Sequence, residues 1–325
     1  MQGIGRSGRA AGLRLGLAWR AYTTTEENDI EPIDERIEVS DGLRLRVLRW
    51  QPVTGPELPP FLLVHGLASN ARLWDGVAPR LAAAGHRVAA VDLRGHGRSD
   101  KPDDGYDFAT ISHDLEALIR AIGFERPVLV GQSWGAGVVL DFGVHNPELT
   151  RGIVLVDGGL TDLREAFPTW EICWTRLAPP QLVGLPLSDV EGYFLQNHAD
   201  WPPEGLVGSL ANFEIRPDRT IAPWLTRDRH KAILESMWGQ RTADLWAALR
   251  VPALIIPVDG GESDWTRAKR AGADAALAAM LASGVPCRVR WFTGDHDIHA
   301  QHPAEVAVAL IAASGEGLFS GAVVA

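Results

Sequence analysis

The chain is short of cysteine. Only Cys173 and Cys287 occur in 325 residues. Two thiols cannot build a disulfide framework, and neither has metal-ligating neighbours in the sequence. Both are read as ordinary reduced residues, which fits a cytoplasmic protein. Positive charge is also scarce: 31 Lys and Arg face 41 Asp and Glu, a net charge of -10. No basic patch stands out, so a nucleic-acid partner is not expected. Long apolar runs are missing too. None approaches the roughly 18 residues that a membrane-spanning helix needs. Acid is absent from the first 25 residues, where Arg6, Arg9, Arg14 and Arg20 precede Glu26. That suits a basic targeting segment or a basic extension lying on the surface. Arg14 interrupts its apolar patch, which disfavours a secretory signal. Residues 1–30 are taken as a basic N-terminal extension.

The rest of the chain is rich enough in apolar residues, 46% of the total, for one large α/β domain with an insertion. Its most informative stretch is residues 128–140, VLVGQSWGAGVVL. An apolar strand-like run meets Gly131, Gln132, Ser133, Trp134 and Gly135, then a helix-compatible run. This is G-x-S-x-G between a predicted strand and a predicted helix. A serine on so tight a turn is held in a strained backbone conformation with its hydroxyl exposed. Side chains at Gly131 and Gly135 would collide with the neighbouring strand or helix. Gly137 is expected to let the helix pack close to the sheet. The positive end of that helix favours negative charge near the serine.

Taken in order, alternation around Ser40, Asp41 and Gly42 predicts a hairpin over residues 36–50. A proline-rich linker follows over 51–60. Strands are predicted at 61–64, 86–93, 128–131 and 151–156, with helices over 74–84, 108–122 and 134–145. From residue 160 to 249 the strand rhythm stops. Helical pieces there are broken by prolines, and Trp170, Trp174, Trp201, Trp224 and Trp238 fall among them. The rhythm returns with strands at 252–258 and 287–292 and helices at 265–281 and 303–313. The tail after Ser314 is small and polar, and is expected to be loose. Alternating strands and helices predict an α/β fold. Its central sheet is mostly parallel, of about eight strands, with helices on both faces. The domain reading is core 31–159, helical insertion 160–249 and core 250–325.

A serine hydroxyl needs a base, and the base needs an orienting group. The segment Gly294, Asp295, His296, Asp297, Ile298, His299 follows the last strand, with His302 and Pro303 after it. His296 is nearest the strand end. His299 competes with it, and His299 and His302 also read as a solvated helix start. Candidate acids are Asp157, at the end of the strand after the nucleophile helix, and Asp259, Glu262 and Asp264, after the strand 252–258. Asp157 alternatively forms a loop before two glycines. Asp264 alternatively caps the following helix.

The chain resembles the α/β-hydrolase fold superfamily. The resemblance is carried by His65-Gly66-Leu67, by Asp92-Leu93-Arg94-Gly95-His96-Gly97-Arg98-Ser99, by the Gly131–Gly135 elbow and by the histidine segment from Gly294, in the family's order. It implies a helical cap at 160–249, inserted after the sixth strand. It implies an oxyanion hole made by the backbone N–H groups of Leu67 and Trp134, with His96 and Asp92 as scaffold. Its usual acid follows the strand 252–258, where Asp259 comes early and Asp264 late. Some dehalogenase-like and lactone-cleaving members instead use the position of Asp157, so the choice stays open. Dehalogenases and epoxide hydrolases of this fold place Asp at the elbow. Ser133 there implies acyl transfer without a metal or organic cofactor. The resemblance therefore implies a carboxylesterase-like serine hydrolase, with a lactonase, a C–C bond hydrolase or a ligand-sensing receptor as alternatives. The aromatic insertion suggests a small to medium hydrophobic ester or lactone, unless the tryptophans only fill the insertion's own core. Arg216, Arg219, Arg227, Arg229, His230 and Lys231 would bind a substrate carboxylate or form a solvated face. A homodimer is possible.

Overall fold

The computed structural model describes residues 31–40, 42–52 and 58–320. The expectation for residues 1–30 lies outside them. The predicted hairpin is β1 (Ile33–Ser40) and β2 (Leu43–Trp50), turning at Gly42 with φ of +78°, a backbone conformation that favours glycine. β3 (Leu58–Val64) starts earlier than expected and takes Pro59 and Pro60 into its first residues. A 3₁₀ turn (Ala71–Trp74) and α1 (Ala78–Ala83) replace one predicted helix, and β4 (His86–Val91) follows. Then come α2 (Phe108–Ala121), β5 (Val128–Gln132), α3 (Trp134–His145) and β6 (Gly152–Val156).

Residues 160–249 hold six helices: α4 (Leu163–Ala166), α5 (Trp170–Leu177), α6 (Leu187–Asn197), α7 (Pro203–Leu210), α8 (Arg227–Gly239) and α9 (Thr242–Ala248). The stretch is not wholly helical, which departs from the expected helical insertion. Between α7 and α8 lies a short antiparallel ribbon, β7 (Phe213–Ile215) with β8 (Ile221–Pro223). The predicted strand 252–258 splits at Pro257 into β9 (Ala253–Ile256) and β10 (Val258–Asp259). After α10 (Asp264–Ser283), the last predicted strand likewise splits into β11 (Cys287–Val289) and β12 (Phe292–Thr293). The chain then forms α11 (Ile298–Gln301) and α12 (Pro303–Gly315).

Eight strands make the main sheet, in the order β1-β2-β4-β3-β5-β6-β9-β11. β2 runs against both neighbours, and the pairs from β4 through β11 are parallel. Successive strand residues face opposite sides. Leu62, Val64, Leu129, Ile153, Leu155 and Ile255 join one apolar layer. Phe61, Leu63, Val130, Val154, Val156 and Ile256 join the other. Both faces are buried, so these strands read as unbroken apolar runs rather than alternation. Each fully buried Val, Leu or Phe contributes about 1.5–3 kcal/mol. The tail departs from expectation: Leu318 and Phe319 are buried in the second layer. Among the described residues, no helix is long and apolar enough to cross a membrane.

Candidate functional site

The strands β5 and β6 end side by side, and the site grows from their ends. Ser133 sits between β5 and α3 with φ of +54° and ψ of -117°. A non-glycine residue there is strained, and the packing around it must hold it. The two motif glycines explain how. A Cβ on Gly131 would lie 2.0 Å from the carbonyl oxygen of Gly135, and one on Gly135 would lie 2.5 Å from that of His65. Gly137 differs from expectation. Its extra carbon would meet Gln240 and Phe108, not the sheet.

Ser133 Oγ donates to His296 Nε2 at 2.8 Å. His296 Nδ1–H donates to Asp157 Oδ2 at 2.6 Å. An ionised carboxylate only accepts, so the bond to Asp157 puts the ring proton on Nδ1 and leaves Nε2 free to take the serine proton. Asp157 is 5% exposed. Its Oδ1 accepts from the Val258 N–H at 2.9 Å and from Lys269 Nζ at 2.8 Å. Burial pushes this carboxyl up, but the bonds from His296, Lys269 and Val258 prevail and hold it below the usual carboxylate range. For His296, burial works downward. The bond to Asp157 and the charges of Asp297 and Asp157 outweigh it, and the ring ends above its ordinary value.

Asp259, the alternative acid, is not brought to this histidine. It accepts from the Gly261 N–H at 3.0 Å and pairs with Arg270. Asp264 opens α10 and pairs with Arg267, and Glu262 is exposed in the same loop. His299 is not solvated. It is fully buried against the Trp74 ring, with centroids 4.2 Å apart, and neither ring nitrogen has a hydrogen-bond partner among the described residues. Burial depresses it to about 3, so it is neutral.

Leu67 and Trp134 lie close to the serine. Trp134 is the first residue of α3, and Leu67 lines the cavity in front of Ser133. The loop carrying Leu67 is fixed by its neighbour: the Ala68 N–H donates to His96 Nε2 at 3.3 Å. His96 Nδ1–H in turn donates to the Arg94 carbonyl at 3.0 Å. Burial keeps His96 well below its ordinary value and therefore neutral, as an acceptor at Nε2 must be. Asp92, fully buried, accepts from the N–H groups of Ala71 and Arg98 at 2.7 and 2.9 Å. Both act as scaffold.

A family model described as alpha/beta hydrolase fold matches residues 59–188. A solved structure of E-2-(acetamidomethylene)succinate hydrolase aligns with a TM-score of 0.68 at 22% identity, covering 86% of this chain and 97% of that one. The chain has the α/β-hydrolase fold. Epoxide hydrolase A of Mycobacterium tuberculosis is 40% identical over 107 residues, 32% of each chain. The 2-(acetamidomethylene)succinate hydrolase of Mesorhizobium japonicum is 36% identical over 99 residues, 30% of this chain and 35% of that one. In sequence, the chain thus spans about a third of the length of these curated relatives.

In this α/β-hydrolase fold, the cavity over Ser133 measures about 230 Å³. Its far wall comes from the helical segment 160–249, through Phe194, His198, Trp201, Ser209 and Asn212. The wall is more polar than the tryptophan-rich sequence suggested. Trp170, Trp174 and Trp238 pack with one another around Cys173 and Leu234, in the segment's own core. Trp201 alone of the five singled out reaches the cavity, and its Nε1–H donates to Asp295 at 2.8 Å. None of the basic residues of the 216–231 run lines it. Arg229 donates to the carbonyls of Lys101 and Pro102, and Arg227 lies over the Trp174 ring. The sequence reading missed Lys269, His198 and Gly158, whose Cβ would lie 2.2 Å from the Ser133 carbonyl oxygen. Lys269 did carry a signal: it falls in phase with the buried residues Ala273, Ala276 and Met280 of α10.

Proposed function

We propose that this chain is a serine hydrolase that cleaves carboxylic esters with small acyl groups. The observation that carries the proposal is the unbroken hydrogen-bond chain from Ser133 through His296 to Asp157. His296 Nε2 takes the hydroxyl proton as Ser133 Oγ attacks the carbonyl carbon. The backbone N–H groups of Leu67 and Trp134 then hold the oxygen that becomes negative, a contribution of several kcal/mol to lowering the barrier. The protonated His296 gives its proton to the leaving alcohol, and an acyl-enzyme remains on Ser133. Water, deprotonated by the same nitrogen, releases the acid. Asp157 stabilises the imidazolium formed in each half. The chain's own residues supply every group in this scheme, so no cofactor is invoked.

The cavity favours short and polar acyl groups over the hydrophobic chain expected from the aromatic insertion. It is below the about 300 Å³ at which pockets for larger organic ligands begin, and Asn212, His198 and Ser209 offer hydrogen bonds. The residues 160–249 act in this reading as the cap that selects the acyl group. The test is p-nitrophenol release from acetate, butyrate and octanoate esters, with Ser133→Ala alongside. Turnover falling from acetate to octanoate, and absent from the variant, is expected. Equal release by wild type and variant would sink the reading.

A further inference from the structure

A buried lysine lies behind the site. Lys269 sits in the second turn of α10, on the stripe that also buries Thr266, Ala273, Ala276 and Met280. An ammonium there costs free energy unless it is paired and hydrogen-bonded. Lys269 Nζ donates to Asp157 Oδ1 at 2.8 Å and also to the Val258 carbonyl. The side chains of Lys269 and Asp157 are 9% and 3% exposed. The next residue behaves differently. Arg270 turns outward, pairs with Asp259 and lies over the Trp291 ring, 4.9 Å from its centroid. Consecutive residues on a helix diverge by about 100°. Adjacent residues of one helix thus pair with two of the candidate acids: the inner with Asp157, the outer with Asp259.

We propose that Lys269 is a positioning residue for the reactive chain: it fixes the Asp157 carboxylate through Oδ1, so that Oδ2 faces His296. This rests on the proposed hydrolase function. Oδ1 is doubly held, by Lys269 and by the Val258 N–H, so the carboxylate cannot rotate without breaking a buried ion pair. The same cation also acts on His296. The charged groups that act on this ring are Asp157 just past β6, Asp297 beside it and Lys269 on α10; His299 on α11 is neutral. Asp157 and Asp297 favour the imidazolium, and Lys269 opposes it. Lys269 therefore keeps more of His296 in the neutral form that can accept the serine proton.

The test is a nitrogen-detected NMR titration of histidine-labelled full-length protein, with the His296 signal assigned by its loss in His296→Gln. In Lys269→Met the His296 pKa is expected to rise by on the order of one unit. In Lys269→Arg it returns toward the wild-type value. Lys269→Gln keeps a donor but not the charge, and serves if the methionine variant does not fold. The acid limb of kcat/KM for p-nitrophenyl acetate should move up by the same amount, with KM little changed. The low-field proton signal of the His296 Nδ1–H bonded to Asp157 reports the positioning itself and is expected to weaken or shift in Lys269→Met. A folded Lys269→Met or Lys269→Gln protein in which both that signal and the His296 pKa are unchanged would overturn the proposal. The titration does not depend on turnover. Absence of ester hydrolysis by wild type would sink the hydrolase reading, and the titration would still decide the role of Lys269.

Discussion

Asp157 and Asp259 lie at the ends of neighbouring strand segments, and their surroundings are opposite. Asp157 is buried and accepts from a backbone N–H, a lysine and a histidine. Asp259 is partly exposed, bonded within its own loop and to Arg270, itself half exposed. The first environment favours one rotamer and one charge state, because every oxygen lone pair it uses is engaged where water is excluded. The second leaves an ordinary surface ion pair, worth about 0–1 kcal/mol. An acid can orient a histidine when its own orientation is already fixed by groups behind it. Being the right residue type in the right kind of loop is not enough.

That contrast can be broken or sharpened by substitution. The largest expected effect comes first. Ser133→Ala should reduce kcat for p-nitrophenyl acetate by about 10⁶-fold, since the nucleophile is gone. Asp157→Asn should cost about 10⁴-fold in kcat, because an amide in that place favours the wrong histidine tautomer. If Asp259→Asn cost as much as Asp157→Asn, the assignment of the acid would be reversed. A third step is Lys269→Met, expected to cost about tenfold in kcat/KM below neutral pH and less above it, as the acid limb moves upward. Asp259→Asn is expected to change kcat less than about twofold and to lower stability by under about 1 kcal/mol, read by urea unfolding.

The same contrast recurs in two histidines three residues apart. His296 is raised by its carboxylate partners, whereas His299 is depressed to about 3 by burial, with neither ring nitrogen hydrogen-bonded among the described residues. The signs of their stability contributions are therefore opposite. A histidine whose folded value lies below its unfolded value of about 6.5 stabilises the fold above that pH. The contribution from His299 should be lost as pH falls from about 6.5 toward 3. His299→Phe, which keeps a ring against Trp74, should flatten the fall in Tm over that window. An unchanged pH dependence of Tm would show that His299 does not titrate on unfolding.

Much of this was legible in the chain. The buried strands announce themselves as aliphatic runs, because both faces of the sheet are covered. The elbow is legible because steric limits at Gly131 and Gly135 restrict those positions to glycine. The histidine segment was placed by its position after the last strand. Less was legible in residues 160–249, where short helices follow no sheet register and the ribbon of β7 and β8 is only three residues a side. The tail misled for a related reason. Leu318 and Phe319 stand among small residues, and only the packed molecule buries them, Phe319 against Gly152, where a Cβ would meet its ring.

The sequence alone determined the alternation of strand and helix, the serine on its turn and the order of the motifs. These depend on residues near one another in the chain, through side-chain periodicity and backbone sterics. Only the tertiary structure brought Asp157 rather than Asp259 to His296, buried His299, gave the cavity its polar wall and set Lys269 behind Asp157. Each of those outcomes depends on partners far apart in sequence: 139 positions separate His296 from Asp157, and 112 separate Lys269 from it. Carboxylates of the same kind become different groups once burial and donated hydrogen bonds differ, and those are properties of the packed molecule.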